Sequence, residues 1–358
     1  MMVNVKKERS SNLELYRVIV MLLIVAHHYV VNSGLFQLIE SSTLSGHSLF
    51  LYLFGMWGKT GINCFVLITG YFMCKSDISI SKFLKLLLEV FFYEVVIYSI
   101  FLSCGVVSFN LKSLFFALIP IGNVGRDFTT SFIFFYLSIP FLNILLRNMS
   151  KRQHKLLIIY CLFIYTIWAF YPFSVMFNYV TWFIILFFIS SYIRLYPIKR
   201  DGDVKFWSLL TFCSVILSCL SVIILKVLDV WWPYKFMQDS NSIMALVTAV
   251  CSFMLFKNLK IKQSKVINLM GASTFGVLLI HANSDAMRQW LWKDTLENVS
   301  WFESPYLWVH ATLSVLVIFI FCVFIDQIRI RYVEKPFFSS SIYVSLENYI
   351  QKFLWKIS

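Results

Sequence analysis

The chain carries ten apolar stretches, each near the length that crosses a lipid bilayer, and this recurrence restricts the fold more than any other feature. They lie near 13–33, 48–74, 83–107, 128–146, 156–173, 178–196, 206–228, 242–258, 267–286 and 306–328. About 20 mostly apolar residues span the hydrocarbon as a helix. In lipid the backbone must satisfy its own polar groups, so such stretches fold as helices. The expectation is an all-α polytopic membrane protein with about ten transmembrane helices. Composition points the same way: of 358 residues, 59% are apolar and 14% charged, whereas soluble chains are about a quarter charged. That balance excludes an ordinary soluble domain, a disordered chain and a secreted disulfide scaffold. The second stretch contains Lys59, which suggests a short helix leading into a span that starts near Thr60. Residues 108–127, with Pro120, Gly122 and Gly125, have the character of a re-entrant segment. Lys6, Lys7 and Arg9 precede the first stretch with no small-residue cleavage site, so no cleavable signal peptide is expected.

The net charge of +13 would suggest nucleic acid in a soluble protein. Placement argues otherwise. Ten crossings put both ends on one side, and 24 of the 31 Lys and Arg then fall on that side. Short basic loops stay cytoplasmic, so both termini are expected there. No nucleic-acid surface is expected. The eight cysteines lie mostly inside the apolar stretches with no C-x-x-C pair, so they read as small buried hydrophobes and no metal is expected. The domain reading is an integral-membrane unit over 1–336 and a cytoplasmic, amphipathic tail over 337–358.

Ionisable groups within spans are costly in lipid and are functional candidates by default. In the first span Glu14, Arg17, Met21, Ile24 and His28 follow a 3/4 spacing and share one helical face. Arg17 and His28 are eleven residues apart, about 16–17 Å along the axis. Alone, Arg17 reads as a headgroup anchor and His28 as an interhelical hydrogen-bonding residue; together they suit a long ligand with an anionic end and a reactive end. His27 lies about 100° round the helix. In Gly61-Ile-Asn-Cys-Phe-Val-Leu-Ile-Thr-Gly70-Tyr71-Phe72 the small residues allow close helix approach. Asn63, Thr69 and Tyr71 are its polar members and candidate substrate contacts. Glu94 falls near the middle of the third span, with Glu89 closer to the inside. His281 and Asp285 are i,i+4 at the outer end of the ninth, where a His–carboxylate contact is available. His310, near the start of the tenth, reads as a surface residue.

The run Asn12-Leu-Glu-Leu-Tyr-Arg17, followed ten residues later by His28, resembles the signature of the family 3 membrane acyltransferases. Gly61–Phe72 is similar to their Gly-Val-Asp-x-Phe-Phe-x-x-Ser-Gly-Phe motif, with Asn63 where many members carry Asp. Ser81-Lys82-Phe83-Leu84-Lys85 resembles the basic segment that follows it. Thr274-Phe275-Gly276-Val277-Leu278-Leu279-Ile280-His281 and Val333-Glu334-Lys335-Pro336-Phe337 are similar to the two late motifs, and all five occur in the family's order. The resemblance implies an integral-membrane O-acyltransferase of the bacterial cytoplasmic membrane. It would transfer acetyl, with succinyl the closest alternative, from cytoplasmic acetyl-CoA to a hydroxyl of an extracytoplasmic or lipid-linked polysaccharide. Arg17, Lys82 and Lys85 would then meet the CoA phosphates. His28 would act as general base or carry the acyl group, with Glu94, His281 and Asp285 as the other catalytic candidates.

Two other classes remain. A glycan transporter or flippase commonly shows repeats and Gly/Pro-broken helices in matching halves, and no such symmetry is visible. A non-catalytic organiser of a polysaccharide assembly complex would not need Arg17 or His28.

Overall fold

The computed structural model describes residues 9–76, 78–119, 127–170, 175–230, 232–341, 343–345, 347 and 349. It is 78% helix, with no strand among the described residues. The helices are α1 (Ser11–Val31), α2 (Leu35–Ser41), α3 (Gly46–Gly55), α4 (Gly58–Met73), α5 (Ile80–Ser103) and α6 (Leu111–Leu118). Then follow α7 (Phe128–Asn148), α8 (Lys151–Leu162), α9 (Tyr179–Leu195), α10 (Val204–Val227) and α11 (Ile243–Asn258). The chain ends with α12 (Lys265–Ala272), α13 (Thr274–His281), α14 (Asp285–Gln289), α15 (Leu307–Arg329) and α16 (Lys335–Ser339).

The polar junctions between apolar stretches become helix caps. The side chains of Ser79, Asp127 and Asp203 accept from the backbone N–H groups of Lys82, Thr130 and Phe206 at 3.2, 2.8 and 3.0 Å. Ser150 and Gln153 form a reciprocal capping box at the start of α8. Each cap satisfies an end-of-helix donor that lipid or protein would otherwise leave unpaired.

Six helical stretches are long and apolar enough to cross a membrane: Ser11–Val31, Gly46–Met73, Ile80–Ser103, Phe128–Asn148, Val204–Val227 and Leu307–Ser339. The apolar helices α9 and α11 are shorter, at 17 and 16 residues. Three of the ten stretches are not continuous α-helix. The one beginning with α8 passes into a π-turn at Phe163–Trp168. The one near 267–286 is broken at Ser273 between α12 and α13, and again at 282–284. The break between α3 and α4 falls at 56–57, one residue short of Lys59. Within 108–127, α6 is a short exposed helix, and 120–126, with Pro120, Gly122 and Gly125, lie outside the described residues. The 337–358 segment is described only in part; α16 covers its start.

At the centre lies α1, packed against α3, α4, α11, α12, α13 and α15. Its N-terminus is tied down by Asn12, whose side-chain amide donates to the carbonyls of Phe256 and Lys257 at 2.9 and 3.0 Å. The glycines of α4 permit close approach on both sides: a Cβ on Gly61 would press into Ile24 of α1, and one on Gly70 would meet the Phe187 backbone of α9 at 3.1 Å. The outermost faces are apolar. Val317, Ile320, Phe321 and Phe324 of α15, spaced 3/4 along one face, are each at least 60% exposed, a surface suited to lipid and not to water.

Candidate functional site

A cavity of about 1580 Å³ runs alongside α1, walled by α4, α5, the start of α7 and α13. Four candidates drawn from two spans, Arg17 and His28 of α1 and Lys82 and Lys85 of α5, line this one space. These three cations gather at one end, where Arg17 sits in the second turn of α1 and Lys82 and Lys85 in the first turns of α5. His28 stands three turns further along α1.

Arg17 is oriented by buried Glu14, whose Oε1 lies 3.3 Å from the guanidinium. Arg9 reaches the other oxygen of Glu14 at 3.2 Å and also lines the cavity. Gly271 lies against Glu14 so closely that no Cβ would fit; the α12 backbone thus holds the carboxylate that holds Arg17. Lys82 is exposed on the cavity wall. Lys85 pairs with Glu334, so it is shared with an anionic cluster.

That cluster was not legible in the sequence. Arg329 directs each nitrogen to a different carboxylate: Nε to Asp326 at 2.9 Å, one Nη to Glu334 at 2.9 Å and the other to Glu89 at 3.0 Å. Tyr93 donates to Asp326 at 2.8 Å. The signal available was Glu89, a carboxylate at membrane depth. Its partner Arg329 reads from sequence as one more topology-setting cation, and Glu334 as part of a late motif.

At the other end, His28 Nδ1 lies 2.9 Å from His281 Nε2, and His281 Nδ1 lies 2.6 Å from the Val277 carbonyl. A carbonyl only accepts, so His281 carries its proton on Nδ1 and offers a lone pair at Nε2. His28 then donates from Nδ1, and its Nε2 is left as an acceptor. These tautomers follow from the hydrogen-bond network. His281 is 1% exposed and fixed by the α13 backbone. An imidazole so held can take a proton from a hydroxyl brought into the cavity.

The i,i+4 pairing of His281 with Asp285 is not formed. The helix ends at His281 and restarts at Asp285, so the register that would align the two is lost. Asp285 instead pairs with Arg288 at 2.8 Å, its side chain 97% exposed at the cavity rim. Glu94 lines the cavity but makes no hydrogen bond with His28 or His281. Neither carboxylate orients the imidazole here; a second histidine does.

Of the candidates in α4, Thr69 lines the cavity, its hydroxyl donating to the Phe65 carbonyl at 3.0 Å. Asn63 and Tyr71 stand elsewhere. Asn63 is fully buried, donating to the Ser240 carbonyl at 2.7 Å and accepting from Trp182 Nε1 at 2.8 Å, so it braces α4 against α9. Tyr71 accepts from Arg194 at 2.6 Å, with the guanidinium over its ring at 4.6 Å. His27 of α1 donates to the Gly55 carbonyl at the end of α3 at 2.5 Å. His310 is a packing residue, stacked on Trp301 at 4.4 Å and bonded to Tyr29 Oη at 2.8 Å.

The acyltransferase domain model of family 3 matches residues 10–326. No curated protein and no solved structure matches the chain. The match covers most of the chain, including Arg17 and His28, which line the cavity, and His281, which holds His28. The chain therefore belongs to the family 3 acyltransferases and is an integral-membrane acyltransferase.

Proposed function

We propose that this protein moves an acetyl group from cytoplasmic acetyl-CoA to a hydroxyl of an extracytoplasmic or lipid-linked polysaccharide. The observation that carries this reading is a single cavity with Arg17, Lys82 and Lys85 at one end and, about three helical turns away, a histidine whose Nε2 is free to accept. The CoA phosphates meet Arg17, Lys82 and Lys85, and the pantetheine arm spans the distance to His28. His28 is the general base, oriented by His281. With the acyl donor on one side and the acceptor on the other, transfer needs no movement of the enzyme's own helices across the membrane.

This reading includes ten crossings. To the six long helices it adds α9, α11, the α8–π-turn segment and the broken α12–α13 pair. Both termini are then cytoplasmic by their basic loops, in the inner membrane of a bacterium. Residues 1–336 form the catalytic unit, and the tail from 337 lies on the inner face.

The experiment is incubation of the purified chain, in lipid nanodiscs, with radiolabelled acetyl-CoA and a glycan extract from cells lacking the gene. The wild type is expected to label the glycan and His28→Ala to lose about 10²–10⁴ of the rate. Labelling by His28→Ala at the wild-type rate would sink the mechanism. Labelling from succinyl-CoA alone would keep the acyl transfer and change the donor.

A further inference from the structure

General-base chemistry at His28 accounts for the proton and leaves the negative charge on the acyl oxygen without a partner. Lys59, the second residue of α4, supplies a candidate. Its Nζ donates to Tyr179 Oη at 2.8 Å and lies 5.5 Å from the centre of that ring. Both side chains line the same cavity as His28, and Tyr179 is 7% exposed. Elsewhere on this wall, Arg17, Lys85, Arg288 and Arg329 each meet a carboxylate. Lys82 is exposed. Among the described residues, Lys59 meets no carboxylate within ion-pair distance. An uncompensated ammonium at membrane depth is costly, and proteins place one there where an anion arrives or forms.

Resting on the acyl-transfer reading, we infer that Lys59, held by Tyr179, stabilises the oxyanion of the tetrahedral intermediate. The acceptor oxygen attacks the thioester carbonyl carbon while its proton passes to His28 Nε2. The carbonyl π pair moves onto oxygen, beside the Lys59 ammonium. That pair then re-forms the C=O bond as the C–S bond breaks, and the CoA sulfur leaves with the proton from His28. Lys59 exchanges no proton; it donates a hydrogen bond that strengthens as charge develops, which is where preorganised donors act most strongly. Tyr179 is a positioning residue. Its oxygen accepts from Lys59 and fixes the long side chain, which would otherwise lose entropy in each turnover.

The test uses the full chain in nanodiscs, with acetyl-CoA affinity from calorimetry, the rate of label transfer to the same glycan extract at saturating acetyl-CoA, and the melting temperature. Lys59→Met is expected to slow transfer by about 10²–10³ while affinity stays within about twofold. Lys59→Arg restores part of the rate, and Tyr179→Phe loses about tenfold with the ammonium still present. Lys59→Met transferring within about fivefold of wild type, with His28→Ala inactive, overturns the role of Lys59 and leaves the acyltransferase reading standing. Equal losses in Lys59→Met and Tyr179→Phe, accompanied by a lowered melting temperature, assign the pair to holding α4 against α9 and also overturn it. A wild type that transfers no label removes both.

Discussion

At the scale of single residues, the arrangement around His28 turns on which nitrogen carries a proton. Because His281 Nδ1 faces the Val277 carbonyl, its Nε2 must accept, and His28 is held as a base without a carboxylate. Replacing His281 by Ala removes that acceptor. We expect transfer to fall by about 10²-fold, less than for His28→Ala, with acetyl-CoA affinity unchanged in calorimetry. Asp285→Asn is expected to leave the rate unchanged, since its carboxylate is exposed and, among the described residues, meets Arg288 alone; a large loss would show that the α13–α14 break closes during the reaction. The first-span pair was legible because helical spacing puts residues eleven apart on one face. The His28–His281 contact was not, because it joins residues 253 apart in the chain and no periodicity reports such a distance. Asn63 and Tyr71 were misleading for a related reason. A polar residue in a span must find a partner, and sequence does not distinguish a substrate from a neighbouring helix.

At the scale of elements, close packing and a buried ion cluster hold the walls of the cavity. Gly70 allows α4 to approach the backbone of α9, which cannot yield. Gly70→Val is expected to cost about 1–3 kcal/mol, seen as a lower melting temperature in detergent. Arg329 ties α5 to the end of α15 and the turn that follows. Arg329→Ala leaves Glu89, Asp326 and Glu334 with a single cation, Lys85, among them. A loss of about 3–5 kcal/mol is expected, measurable as reduced folded protein in membranes. Arg329→Lys is expected to be destabilising as well, because one ammonium cannot replace a planar fork whose three nitrogens meet three carboxylates. Existence of the long helices was readable from apolar length alone. Their breaks at 56–57, 273 and 282–284 were not all readable, since an apolar run carries no signal for where its hydrogen bonding pauses. Lys59 was the exception: a charge inside the second apolar run pointed to the first break.

At the scale of the whole molecule, the ten-crossing topology is tested by cysteine labelling. A cysteine replacing Lys205 is expected to react only with reagent that reaches the cytoplasm, and one replacing Lys235 with an impermeant reagent added outside; the reverse pattern would invert the assignment. Membrane residence was determined by the sequence itself, because 59% apolar content in span-length runs leaves a helical membrane protein as the outcome. The face shared by Arg17 and His28 was determined there too, because 3.6 residues per turn is a local property. What only the tertiary structure decided is how charges from distant spans meet: Lys85 with Glu334, Arg329 with three carboxylates, His28 with His281, and Lys59 with Tyr179 instead of an acid. Electrostatics in lipid depends on separation in space, and the helices that set those separations are positioned by packing among themselves.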